Sequence, residues 1–69
     1  MQQLYATIKK SSKYADQQPR DGSKPIPFEV EVGDGPANEY IVYGNSNQYR
    51  IEDVRFYVKW GDRFIPLSK

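Results

Sequence analysis

Carboxylates are the side chains in this sequence with the clearest potential for chemistry. Glu29 and Glu31 lie two residues apart, as neighbours on one face of a strand would. Glu52 and Asp53 form the one adjacent carboxylate pair. Paired carboxylates can exchange protons with a substrate or bind a hard cation. Both functions require other groups beside them, and the rest of the sequence decides whether such groups exist.

Histidine and cysteine are both absent from the sequence. Their absence removes the usual general base, the commonest neutral metal ligand and every thiolate metal site. A strand over residues 25–32 would turn Glu29 and Glu31 to solvent, opposite Arg55 and Lys59. We therefore expect no enzymatic activity, no cofactor and no metal site.

Basic and aromatic residues alternate with apolar ones over residues 54–67, which read VRFYVKWGDRFIPL. Bases stack on aromatic rings and cations hold phosphates, so a sheet face carrying both can bind single-stranded nucleic acid. The candidate nucleic-acid-binding residues are Arg55, Tyr57, Lys59 and Phe64. The alternative is a solvated face on which the rings pack under a loop and the cations pair with glutamates. The sequence pI of 7.9 lies below the values above about 9 that many nucleic-acid-binding domains have.

Tyrosine is frequent, with six residues, and there is one tryptophan. These side chains are enriched in protein interfaces because they bury much area and keep a polar tip. An arginine beside them can add charge-assisted hydrogen bonds. The candidate protein-binding residues are Tyr40, Tyr43, Tyr49, Arg50, Tyr57 and Trp60. The alternative is that the tyrosines form the rim of a thin barrel.

Strands must position all of these residues, and alternating apolar residues predict five of them. In the first, Leu4, Ala6 and Ile8 share one face. The prolines at the start of the second place that end at a sheet edge or a strand terminus. The predicted strands cover residues 3–9, 25–32, 39–43 and 54–60, and the fifth begins at Arg63.

The last two predicted strands form a hairpin with a defined register. If Gly61 and Asp62 form a two-residue loop, Trp60 lies opposite Arg63. Val58 then lies opposite Ile65, and Phe56 opposite Leu67. Both alternations agree in this register, which places the apolar residues of the two strands on one face.

Two connections are long. Residues 10–25 form a polar loop of sixteen residues, broken by Pro19 and Gly22. Loops of this length are uncommon in small domains and are usually functional or mobile. Residues 46–53 are predicted to form a second loop with at most one helical turn.

The predicted elements make residues 1–69 a single all-β domain with little helix. Five antiparallel strands of this length predict a small barrel or a strongly twisted sheet, because closure removes exposed edges. The long loop after the first strand is typical of SH3-like barrels. The long connection before the fourth strand is typical of OB-folds.

The N-terminal residues 1–10 do not have the form of a signal peptide. No apolar run approaches the roughly 18 residues that a membrane-spanning helix needs. Together with the absence of cysteine, these features predict a cytoplasmic protein without a membrane partner.

The segment LYATIKKS, residues 4–11, resembles the start of small uncharacterised proteins encoded by phages and mobile elements. This resemblance implies roles such as host takeover, inhibition of defence systems or accessory structural functions. Proteins with such roles often act by binding one partner.

Three hypotheses about function follow. The first is a small, non-enzymatic, β-rich protein that binds a protein partner, as a phage-type inhibitor or regulator that acts by occlusion. The second is a small barrel that binds single-stranded nucleic acid. The third is a structural subunit of a homo-oligomer, in which exposed strand edges pair between copies.

Overall fold

The structure is a computed structural model that describes residues 3–67. Its strands form at short runs in which apolar and polar side chains alternate. The chain is all-β with little helix, which confirms the predicted fold class. Two short 3-10 turns, Ala15–Gln17 and Ile51–Asp53, interrupt it. The strands are β1 (Leu4–Ile8), β2 (Arg20–Asp21), β3 (Lys24–Pro25), β4 (Phe28–Val32), β5 (Val42–Gly44), β6 (Asn47–Tyr49), β7 (Val54–Trp60) and β8 (Arg63–Pro66).

Six of the strands form one antiparallel sheet with the order β6-β5-β4-β1-β7-β8. The N-terminal strand β1 lies in the middle, between β4 and β7. Among the described residues, β2 and β3 pair only with each other, in a separate two-stranded hairpin. Within residues 3–67, β6 and β8 are open edges, so the predicted five-stranded barrel, SH3-like or OB-like, is not confirmed.

The predicted hairpin at the C-terminal end is present in the predicted register. Trp60 lies opposite Arg63, and Val58 lies opposite Ile65. The backbone N–H of Leu67 donates to the carbonyl of Phe56 at 2.9 Å, which continues the same register. Gly61 has a positive φ of 62°, the conformation that glycine adopts at least cost in a two-residue hairpin turn.

A second hairpin, β5–β6, was not predicted. Its two-residue turn consists of Asn45 and Ser46, both with positive φ, as in a type I′ turn. The preceding Gly44 lies against the backbone of β4, where a Cβ would collide with the carbonyl oxygen of Glu29. The predicted strand over residues 39–43 is therefore shifted, and Tyr40 precedes β5 rather than belonging to it.

One face of the sheet carries the core. The fully or almost fully buried apolar side chains on it are Ala6, Ile8, Val30, Val42, Tyr49 and Val54. Tyr14, from the connection after β1, packs against this cluster, and its ring meets the Tyr49 ring edge-on at 5.9 Å. Residues 10–25, predicted as a long polar loop, thus supply the cover for part of the core face.

Gln18 attaches that cover to the sheet. Lys9 donates its backbone N–H to Asp53 at 2.8 Å, so the N–H of the preceding Ile8 points to the other side of β1. No residue of β4 reaches that position, because β4 begins opposite Ala6. The buried side chain of Gln18 accepts the Ile8 N–H at 2.6 Å and thereby replaces a strand partner.

Candidate binding surfaces

The six predicted protein-binding residues do not form one surface. Tyr57 and Trp60 are three residues apart in β7 and therefore lie on opposite faces of the sheet. Tyr43, in β5, is on the same face as Tyr57, but two strands separate them. Tyr49 is fully buried in the core, so its side chain is not accessible to a partner in this structure.

Tyr40 and Arg50 are brought together. The Arg50 guanidinium lies over the Tyr40 ring, 5.7 Å from its centroid. The hydroxyls of Tyr40 and Tyr14 are 2.9 Å apart and share a hydrogen bond. This hydrogen bond lowers the pKa of Tyr40, with help from the charges of Lys13 and Arg50, and it raises the pKa of Tyr14. A shallow groove of about 760 Å³ beside this pair extends to Tyr43.

Arg50 is largely neutralised by its own neighbours. Its Nε donates to Asp53 Oδ2 at 3.0 Å, and its Nη1 lies 2.8 Å from Glu52 Oε1. The hydrogen bond from Arg50 lowers the pKa of the buried Asp53 carboxyl. Because these carboxylates already pair with its guanidinium, Arg50 stabilises the turn before β7 and has little free charge to offer a partner.

Trp60 lies on the core face but outside the covered core. It is 73% exposed, and its neighbours on that face, Ile65 and Leu67, are 43% and 55% exposed. Val58 is half-buried between these residues and the core. Val58 and Ile65 lie directly opposite each other on this face. Trp60 and Leu67 are the next residues on the same face, diagonal to that pair and at the roughly 7–8 Å spacing that large side chains can span. We call Val58, Trp60, Ile65 and Leu67 the Trp60 surface.

The neighbouring edge strand, β8, is poorly suited to pair with another strand. The Leu67 N–H points to β7, so the backbone nitrogen of Pro66 points outward. Proline has no N–H, and a proline facing outward is one of the devices that protect sheet edges. The exposed feature in this region is therefore a set of side chains, and main-chain donors contribute little to it.

The four predicted nucleic-acid-binding residues do share one face, the one opposite the core. Arg55, Tyr57 and Lys59 alternate along β7, and Phe64 lies opposite Lys59. The Lys59 ammonium is 5.7 Å from the centre of the Phe64 ring. Tyr5, which was not predicted as a site residue, meets Phe64 edge-on at 5.1 Å.

The acidic residues of this outer face are separated from its basic residues. Glu29 and Glu31 are exposed on β4, as predicted, but β1 lies between β4 and β7. Tyr5 occupies the position between Glu29 and Tyr57. The predicted arrangement of the glutamates opposite Arg55 and Lys59 was therefore wrong, because the central position of β1 was not foreseen.

No three acidic side chains among residues 3–67 lie close enough to share a metal ion. In the same range, no helix has the length and hydrophobicity needed to cross a membrane. Comparisons of the chain with protein-family models, with curated proteins and with solved structures found no match.

Proposed function

We propose that this protein is a small, non-enzymatic binding domain that acts on a protein partner, as an inhibitor or regulator, through the Trp60 surface. One observation carries the proposal: the single tryptophan of the chain is 73% exposed and shares one face with the exposed side chains of Ile65 and Leu67. Exposed apolar patches of this kind mark interaction sites, and tryptophan is the residue most enriched among interface hot spots.

Trp60 can supply most of the binding free energy of such a contact. A tryptophan side chain buries about 150–250 Å² in an interface, and burial of apolar area contributes roughly 25 cal/mol per Å². Covering Trp60 would thus contribute on the order of 4 kcal/mol before the entropic cost of association. Ile65 and Leu67 would add area around it and exclude water from the contact.

The charge beside the Trp60 surface indicates the kind of partner. Arg63 lies directly opposite Trp60 and forms no ion pair with any residue in the range 3–67. An exposed arginine at the rim of an apolar contact favours a carboxylate on the partner. The partner we propose therefore presents an apolar pocket with an acidic rim, and binding would occlude that pocket.

The experiment uses Trp60 as its own reporter. Proteins captured by the wild-type chain from its native host are identified, purified and titrated while the tryptophan emission is recorded. We expect a blue shift on binding, because the indole moves from water into an apolar pocket. Trp60→Ala should weaken binding by about 30-fold or more, as expected for a hot spot.

Tyr43→Ala is the matched control, because Tyr43 is also an exposed aromatic residue but lies on the opposite face. The affinity of Tyr43→Ala for the partner should stay within about threefold of the wild-type value, because Tyr43 lies outside the proposed contact. Unchanged affinity in Trp60→Ala would contradict the proposal. Self-association of the wild type that disappears in Trp60→Ala would assign the Trp60 surface to a second copy of the chain, as in the structural-subunit hypothesis.

Single-stranded nucleic acid remains the second candidate. The observation that favours it is that Arg55, Tyr57, Lys59 and Phe64 lie together on the outer face. Binding of an oligonucleotide should weaken steeply as salt concentration rises, since each neutralised phosphate releases counterions. Absence of binding at low salt would exclude this candidate and would leave the Trp60 surface unaffected.

A further inference from the structure

A basic pocket lies on the outer face, at the end of β1. Its volume is about 540 Å³, and it is bordered by the end of β1, the β2–β3 hairpin and β7. Thr7 and Arg55 are paired neighbours across β1 and β7. Arg20 and Pro25, a strand pair at the ends of the hairpin, also line the pocket. The pocket thus depends on three segments that are distant in the sequence.

The charge of this pocket is not compensated. Four of its lining residues are cationic, and none is acidic: the cations are Lys9, Lys10, Arg20 and Arg55. Within the described part of the chain, none of the four has a carboxylate within 4 Å. Arg20 makes one long hydrogen bond, to the Ser23 carbonyl at 3.4 Å. Like charges collected in a concave site create a positive potential that an anion would relieve.

Hydroxyl groups in the pocket provide hydrogen-bond donors in addition to its positive charges. Thr7 donates its hydroxyl proton to the Tyr57 oxygen at 3.3 Å, so the proton of Tyr57 is free to point elsewhere. Ser11 also lines the pocket. Arginines, lysines and hydroxyls in one concavity are the donor set that recognises phosphate oxygens, and the two arginines can bind them in a bidentate manner.

We propose that this pocket binds the phosphate group of a nucleotide. Its volume lies within the roughly 300–1,000 Å³ typical of small-molecule sites, which is sufficient for one nucleotide unit. The phosphate can belong to a free nucleotide or to one unit of a nucleic-acid strand, and the chemistry of recognition is the same. The pocket is on the opposite face from the Trp60 surface, so this inference does not depend on the proposed protein partner.

The test compares three probes: inorganic pyrophosphate, adenosine monophosphate and a twelve-nucleotide single-stranded DNA. Each is titrated into the full-length protein at low salt while amide chemical shifts are recorded by NMR. We expect the shifts to concentrate at the backbone amides of Thr7, Lys10 and Ser11. Tighter binding of the DNA than of the mononucleotide would identify a strand as the source of the phosphate, and equal affinities would identify the free nucleotide.

Two double variants separate a specific pocket from general attraction. Arg55→Gln with Lys10→Gln removes two charges from the pocket, and we expect at least about tenfold weaker binding of each bound probe. Arg63→Gln with Lys13→Gln removes two charges elsewhere and should change affinity less than about threefold. All four residues are exposed, so both variants should fold like the wild type.

Two results would overturn the proposal. Equal weakening in both double variants would show that only net charge matters. The proposal would also fail if none of the three probes, at millimolar concentration and low salt, shifted the amide signals of the residues that line the pocket. Loss of phosphate binding with intact Trp60-dependent partner binding would leave the proposed function standing.

Discussion

Val54 and Trp60 lie at the two ends of β7 on the same face of the sheet, and they differ completely in environment. Val54 is buried in the core, whereas Trp60 is largely exposed to water. Both belong to the same run, in which successive side chains point to opposite faces of the sheet. Val54 belongs to the core cluster, against which Tyr14 from residues 10–25 and Ile51 pack, whereas Trp60 lies outside that cluster.

This contrast divides the core face into a covered half and an open half. The covered half, around Tyr49, holds the apolar burial that stabilises a small chain. The open half, the Trp60 surface, contributes little burial within the chain. Side chains that a fold does not need for its own stability are available for binding, and the two halves should therefore respond differently to substitution.

The largest expected effect is in the covered half. Tyr49→Ala should lower the free energy of unfolding by about 3–5 kcal/mol, the usual cost of deleting a buried aromatic ring. Tyr49 also donates to Gln17 Oε1 at 2.8 Å, so Tyr49→Phe should cost about 1 kcal/mol. Urea denaturation followed by circular dichroism measures both. A loss below about 1 kcal/mol in Tyr49→Ala would mean that the covered half is not the stabilising one.

The second-largest effect is expected where Gln18 attaches residues 10–25 to β1. Gln18→Ala leaves the Ile8 N–H buried without an acceptor and should cost about 1–3 kcal/mol. Hydrogen exchange at the Ile8 amide should accelerate strongly in this variant. Gln48→Ala, at an exposed position in the edge strand β6, is the control and should change neither quantity measurably. Unchanged exchange at Ile8 would show that Gln18 does not replace a strand partner.

A smaller effect depends on pH. The pKa of Asp53 is lowered in the folded state, chiefly by the hydrogen bond from Arg50. Its stabilising contribution, roughly 1 kcal/mol, is therefore complete above the unfolded carboxyl pKa of about 3.9 and is lost as pH falls through the lower folded pKa. The stability difference between wild type and Asp53→Asn should shrink correspondingly in acid.

Arg50→Gln removes the other partner of the Arg50–Asp53 ion pair. Its free energy of unfolding should likewise approach that of the wild type at low pH. Urea titrations at pH 6 and at pH 2 provide the comparison. A stability difference that is constant between these two pH values would contradict the assignment of the effect to the ionised Asp53 carboxylate.

The smallest effect on stability is expected in the open half. Trp60→Ala should change the free energy of unfolding by less than about 0.5 kcal/mol, because the indole is mostly in water already. The same variant should show the greatest loss of partner binding. Thermal denaturation checks the first expectation. A destabilisation above about 2 kcal/mol would instead place Trp60 in the core of the folded protein.

Local features of the fold were predictable, and elements with weaker local signals were not. The β7–β8 hairpin was predicted because its partners are separated by a two-residue turn that contains Gly61. The turn of β5–β6 has Asn45 and Ser46 instead, without the glycine that makes such turns easy to recognise. Hydrogen bonds from Glu39 to Pro36 and from Ile41 to Glu39 keep residues 36–41 in turns, which displaces the predicted third strand.

The candidate sites show the same division. Alternation correctly grouped Arg55, Tyr57 and Lys59 on one face of β7. Trp60, which was predicted to share a surface with Tyr57, lies on the other face. Alternation could not show that Tyr49 is buried, because it identifies a face without showing what covers it. The basic pocket was also missed, because Arg20 reaches it from a hairpin whose position relative to β1 depends on Gln18.

The sequence by itself determined the all-β class, the faces of β1 and β7, and the register of the last hairpin. These properties depend on side-chain period and on turns of two residues, which are local. Only the tertiary structure decided that β1 is central, that residues 10–25 cover part of the core face, and that Trp60 remains exposed. Those outcomes depend on contacts between distant segments, and a periodic pattern specifies a face without specifying its partner.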